Sequence, residues 1–128
     1  MYYTTDTHAF LWYLTNSSQL SAKAQNIFNL AEQGSAVIIV PAIVLLESMD
    51  ILDKNKIIFQ FEDILLKITQ SSNFVLSEIN LSLILEVNKL KGFKDIHDRV
   101  IVATAKIFDS HLISKDRIIK ELYSKTVW

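Results

Sequence analysis

No cysteine occurs in this 128-residue chain, which excludes disulfide scaffolds, cysteine-ligated zinc, iron–sulfur clusters and thiol catalysis. The absence fits a reducing cytoplasm. Glycine appears only at Gly34 and Gly92 and proline only at Pro41. Neither a GxGxxG turn nor a P-loop can be built from that supply, so nucleotide-cofactor sites of those kinds are excluded. A Gly-x-Ser-x-Gly nucleophile elbow is missing as well. With no glycine- or proline-rich linker, residues 1–128 are expected to form one domain. Charge of one sign is also lacking: 13 basic residues face 14 acidic ones, a net charge of −1. That balance argues against a protein that grips nucleic acid through a strong basic field, while leaving open a nuclease whose acids are neutralised by metal. The longest apolar run, Ala36 to Leu46, is broken by Pro41 and falls short of the roughly 18 residues that span a bilayer. The first residues carry no signal-peptide pattern, and the expectation is a cytoplasmic protein with no membrane contact.

What is present reads as strands alternating with helices. Tyr2 to Thr5 is aromatic and β-branched, and Val37-Ile38-Ile39-Val40 is a β-branched run without polar alternation, the pattern of a strand covered on both faces. Phe74 to Leu76 and His111 to Ser114 read as two more strands, and Thr126 to Trp128 as a last edge strand. Helical spacing begins at Thr7, and Ser21 is a good N-cap for a second helix that Gly34 closes. Pro41 suits the first position of a helix running to Asp53. Another helix is expected over Ile57 to Thr69, burying Ile58, Phe61, Leu65 and Ile68. Three more are predicted: from Asn80 or Ser82 to Leu90, from Ile96 to Phe108, and from Arg117 to Tyr123. Such alternation implies an α/β/α sandwich around a central, mostly parallel sheet of four to five strands.

In open parallel sheets, ligands bind beyond the carboxyl ends of the strands. Asp6 directly follows the first strand and Asp116 the fourth, so both are directed to one edge. Glu47 lies in the helix leaving the second strand, with Ile43, Val44, Asp50 and Ile51 one turn away on a largely apolar stripe; Asp98 lies in the helix entering the fourth, with Ile101 and Val102 one turn on. A carboxylate on an apolar stripe needs a partner, and a hard divalent cation such as Mg²⁺ suits oxygen ligands of this kind. Each acid also has a plain structural reading. Asp6 caps the helix at Thr7, Asp95 caps the next-to-last helix with Asp98 completing a capping box, and Asp116 favours a helix dipole. For Glu47 the plain reading is a salt bridge.

Lys94, Arg99, Lys115 and Arg117 each stand beside one of these acids and are candidate phosphate contacts; the bland alternative is solvated charge at helix ends. His8, His97 and His111 show no HxxxH or HExxH spacing, which disfavours zinc. His8 and His97 neighbour Asp6 and Asp98 and are candidates for flanking positions.

Four segments together resemble a known family. Thr5-Asp6-Thr7-His8-Ala9-Phe10-Leu11-Trp12 looks like the opening of the PIN domain in its VapC-like toxin ribonuclease branch. Val44-Leu45-Leu46-Glu47 is similar to the second acidic motif, Lys94 to Ala105 to the third, and Leu112-Ile113-Ser114-Lys115-Asp116 to the closing strand-plus-Asp motif. One departure is Ile96, where the family often has proline. The resemblance implies Asp6, Glu47, Asp98 and Asp116 as catalytic and metal-binding acids, with Asp95 auxiliary; the position of Arg99, Lys115 and Arg117 beside these acids makes them the expected RNA contacts. It implies Mg²⁺- or Mn²⁺-dependent cleavage of RNA by a homodimeric toxin held in check by a small antitoxin. Two alternatives remain from the residues alone. One is a Mg²⁺-dependent phosphatase or phosphotransferase with Asp6 as nucleophile, the other a non-catalytic metal-binding module.

Overall fold

A computed structural model describes residues 1–55 and 59–128. The chain runs β1 (Tyr2–Thr5), α1 (Thr7–Leu14), α2 (Ala22–Glu32), β2 (Val37–Pro41), α3 (Ala42–Asn55), α4 (Phe61–Gln70), β3 (Phe74–Ser77), α5 (Leu81–Lys89), α6 (Ile96–Ile107), β4 (His111–Ile113), α7 (Arg117–Leu122) and β5 (Thr126–Val127). The five strands form one sheet in the order β3-β2-β1-β4-β5, and every pairing is parallel. The chain steps from β1 to β2 to β3 in one direction and then crosses back to β4 in the other. Right-handed crossovers travelling in opposite directions lay their helices on opposite faces, which makes the sandwich anticipated from the alternation.

The central strands owe their position to composition. Ile38, Ile39 and Val40 are all fully or almost fully buried, so both faces of β2 are covered. Val75 and Leu76 of β3 remain partly exposed, as befits an edge strand. Between sheet and helices lie Phe10, Phe28, Phe74, Ile38, Val40, Val44, Ile64, Val102, Leu112 and Ile113. Helix starts are set locally. The side chains of Asp6, Ser21, Asn80, Asp95 and Asp116 each accept a backbone N–H in the first turn of the helix that follows, satisfying donors that a helix cannot pair internally. At the far end of α2, Gly34 adopts a φ of 79° and its N–H bonds the Ala31 carbonyl at 3.0 Å, a left-handed stop that glycine takes without a Cβ penalty.

Three local expectations need correction. Pro41 ends β2, paired with Ser77, and α3 starts one residue later. Its fixed φ near −65° suits extended and helical backbone alike, so proline can stand at the junction of the two. On α4 the fully buried side chain is Ile64, while Leu65 is 40% exposed; Phe61, Ile64 and Ile68 have the spacing of one helical face. The expected start of that helix at Ile57 and Ile58 lies outside the described residues. Finally, Asp95 caps α6 by accepting from the His97 N–H at 2.7 Å, without the reciprocal bond from Asp98 that a capping box requires among the described residues.

Candidate active site

β1 lies between β2 and β4, so the direction of strand succession reverses at the β1–β4 boundary. A crevice opens there at the carboxyl ends of the strands. A cavity of about 460 Å³ occupies this place, and its lining includes Asp6, Glu47, Asp95, Asp98, Lys115 and Asp116. The acids set 110 positions apart in sequence are thus brought to one space by the parallel register of Tyr3 with His111 and Thr5 with Ile113.

Asp6 is the most buried of them, 8% exposed. Its Oδ1 accepts from the Ala9 N–H at 2.9 Å, and the neighbouring Ser114 side chain favours its ionised form. Burial raises its pKa, and the nearby Asp116 adds to that; Ser114, the bond from Ala9 and the charge of His8 pull the other way. Asp116 caps α7 through Oδ1, 3.0 Å from the Ile119 N–H, while its own N–H donates to Ser114 Oγ at 3.1 Å. Ser114 thus binds the backbone of one acid and influences the carboxyl of the other.

Glu47 stands in the second turn of α3. Its Oε1 accepts the Thr7 hydroxyl at 2.7 Å, and Oε2 lies 3.3 Å from Nδ1 of His97, which is also 3.6 Å from Asp95 Oδ1. Asp98, the third residue of α6, has no capping bond. Burial pushes its carboxyl up to about 6, helped by the negative charges of Asp95, Asp116, Glu47 and Asp6. Capping and chemistry are compatible in this cluster. Asp6, Asp95 and Asp116 each commit one oxygen to a helix start, and a carboxylate has a second.

Among the described residues no lysine or arginine forms an ion pair with Asp6, Glu47, Asp98 or Asp116. Nor do three His, Asp or Glu side chains, among the described residues, stand close enough together to hold a metal as they are. An all-oxygen set that offers fewer than three direct ligands fits Mg²⁺, which keeps several waters and takes only one or two carboxylates from the protein. It fits zinc less well, since zinc sites draw mainly on His and Cys and hold three or four protein ligands.

The basic candidates separate. Lys115 lines the cavity, with Nζ 5.8 Å from the centre of the Trp12 ring. Arg117 is exposed on the first turn of α7 and is not part of the lining. Arg99 is directed elsewhere: its Nη2 donates to the Val87 carbonyl of α5 at 2.8 Å, and its buried Nε finds no partner among the described residues. As the fourth residue of α6, Arg99 is turned roughly 100° away from Asp98, which takes its stem toward α5. Thr7, Trp12 and Ser114 also stand at this site; they lie in the segments that carry the resemblance, which assigns them no role of their own. Thr7 and Ser114 read only as a helix start and a strand end, and their role depends on partners distant in sequence.

The family model for the PIN domain matches residues 3–125. The chain belongs to the PIN domain family. No curated protein matches it in sequence. Among solved structures, this PIN domain is similar to VapBC2 from Rickettsia felis bound to a DNA fragment from its promoter, with a TM-score of 0.71, 18% identity, and coverage of 99% of this chain and 96% of that one. A toxin–antitoxin complex from Klebsiella pneumoniae gives a TM-score of 0.69 at 16% identity, covering 98% and 95%. VapC20 from Mycobacterium tuberculosis, a sarcin–ricin loop cleaving toxin, gives 0.65 at 14% identity, covering 93% of each. At these identities the likeness is one of fold.

Proposed function

We propose that this PIN domain is a metal-dependent endoribonuclease and the toxin of a toxin–antitoxin pair. The observation that carries the reading is the crowding of Asp98 by four other acids around one cavity, with no basic side chain among the described residues paired to it. Unpaired charges held together in this way are costly to the fold and call for a divalent cation. Asp6, Glu47, Asp98 and Asp116 are its ligands, directly or through water, and Asp95 is auxiliary. Mg²⁺ or Mn²⁺ at these oxygens supplies an acidified water and neutralises charge on a phosphodiester. The protein's own part is positional. Thr7 and His97 hold Glu47, the α1 N-terminus holds Asp6 beside Ser114, and Lys115 offers its ammonium to a phosphate of the RNA.

The phosphotransferase alternative needs Asp6 open to an incoming phosphoryl group, and its burial opposes that. The toxin role draws on the fold shared with the Rickettsia and Klebsiella toxin–antitoxin structures. Leu46 and Met49 on α3 and Leu65 and Leu66 on α4 are exposed apolar residues suited to a small antitoxin. Leu81, Ile84 and Leu85 on α5 are exposed as well, and suit the contact between copies in a homodimer. No helix among the described residues is long and apolar enough to cross a membrane, in keeping with a cytoplasmic site of action on RNA. The test is cleavage of single-stranded RNA with Mg²⁺ by the chain and by Asp6→Asn and Asp98→Asn. Both variants should fold and lose cleavage; full activity in both sinks the reading.

A further inference from the structure

The chain has two tryptophans, and they meet at the mouth of this cavity. Trp12 lines it. Trp128 braces Trp12 edge-on, with ring centres 5.8 Å apart and planes at 63°, and the His8 ring lies 5.5 Å away at 48°. The core-facing positions of α1 are Ala9, Phe10 and Leu11, which are buried, whereas Trp12 is only partly so. Its indole therefore packs on the core with part of its surface and lines the cavity beside the acids with the rest. The Lys115 ammonium stands over that ring, on a side chain that is itself exposed.

Electrostatics sets a problem that this surface can solve. Five acids line the cavity against the single cationic side chain of Lys115, and the whole chain carries a net charge of −1. With the acids taken up by the cation proposed above, Lys115 is the one basic side chain left in the lining for phosphate, so the attraction that dominates most nucleic-acid binding is limited here. Affinity has to come from contacts that do not depend on charge, and stacking of a base on an aromatic ring is the one available at the cavity wall. A base inside a duplex already has neighbours on both faces, whereas an unpaired base has a face to give. The cavity volume of about 460 Å³ is within the roughly 300–1,000 Å³ of pockets that enclose whole small molecules.

We propose that Trp12 is the stacking platform for one unpaired base beside the scissile phosphodiester, with Lys115 leaving the ring face to hold the adjacent phosphate. The base is read at this subsite by shape and stacking. The inference rests on the ribonuclease reading above, and Trp12 is a binding residue in it.

The test uses Asp98→Asn/Trp128→Phe protein in Mg²⁺, in which Trp12 is the sole indole. The probes are a single-stranded RNA octamer pool of random sequence and an abasic octamer with the same backbone. Anisotropy of end-labelled octamers reports binding, and emission of Trp12 with unlabelled octamers reports stacking. The expected result is quenching by the base-containing octamer only, with the abasic octamer binding about tenfold more weakly. Trp12→Leu should bring the base-containing octamer down to the abasic affinity, and Trp12→Phe should retain most of the difference. The probe comparison needs no change at Trp12, so a misfolded Leu variant leaves it intact. Equal binding of the two octamers without quenching overturns the stacking role and leaves the ribonuclease reading standing. No anisotropy change with either octamer overturns both.

Discussion

The Thr7 hydroxyl donates to Glu47 Oε1 at 2.7 Å, joining the start of α1 to the second turn of α3. Thr7 follows directly on Asp6, so this one bond sets the spacing between two of the proposed ligands. Thr7→Val keeps the branched shape and removes the donor. The expected outcome is a rise of tenfold or more in the Mg²⁺ concentration needed for half-maximal cleavage, the usual range for partners that orient metal ligands. Stability should fall by only about 1 kcal/mol. Thr7→Ser should restore the Mg²⁺ requirement, which a purely structural role for the threonine would not predict. Titrating cleavage against Mg²⁺ in the three proteins checks it.

Asp98 makes the metal-free fold less stable at neutral pH. Its folded pKa, about 6, stands above the ordinary 3.8. The folded state therefore binds the proton more tightly, and the resulting stability is full below 3.8 and lost as pH rises through 6. Burial raises Asp6 in the same direction. In EDTA the melting temperature should rise as pH falls from 7 toward 5, until general acid unfolding takes over. Asp98→Asn should flatten part of that slope and stabilise the metal-free protein at pH 7.5 by about 1 kcal/mol, after allowance for solvent screening at this half-buried group. Mg²⁺ should stabilise the unaltered protein at pH 7.5 and barely at pH 4.5. Melting curves across pH with and without Mg²⁺ decide the matter; a variant less stable than the parent at pH 7.5 in EDTA contradicts it.

Arg99 and Lys115 should part company under substitution. Arg99 ties α6 to the Val87 carbonyl of α5, so Arg99→Met should cost about 2 kcal/mol in denaturant unfolding, the range for a charged hydrogen bond. RNA affinity of the folded protein should hardly change. Lys115→Ala should do the reverse, weakening binding at low salt and lowering the slope of log affinity against log salt by about 0.7, the share of one phosphate contact on a single strand. A salt slope reduced by Arg99→Met instead would restore Arg99 to the phosphates.

The contrast shows what was readable beforehand. Caps at Asp6, Ser21, Asn80 and Asp95 obey rules confined to one helical turn, and the buried run of β2 announces its own coverage. Strand positions then placed Asp6 and Asp116 at one edge through register alone. The direction of Arg99 depended on how α6 rolls against α5, and the choice between Ile64 and Leu65 on the packing of α4. Neither is written in local pattern. Thr7 and Ser114 gain their roles from partners 40 residues away, or from two acids at once, and a hydroxyl has no sequence signature for that.

Ser114 offers the sharpest probe of the coupling between Asp6 and Asp116. It is almost wholly buried, accepts from the Asp116 N–H at 3.1 Å and favours the ionised form of the Asp6 carboxyl. Ser114→Ala leaves the Asp116 N–H without that acceptor at any pH, and removes a hydroxyl that favours the ionised form of Asp6. The pKa of Asp6 should then climb further above its ordinary value. Since such a group adds stability below its unfolded pKa and loses it as pH rises through the folded one, the added cost falls on the alkaline side. The stability gap between parent and variant should be about 1 kcal/mol at pH 4.5, from the lost backbone bond, and widen to about 2 kcal/mol at pH 8 as the Asp6 contribution is added. Urea unfolding at the two pH values measures the gap. A gap of the same size at both would mean that Ser114 fills space and binds the backbone without acting on Asp6.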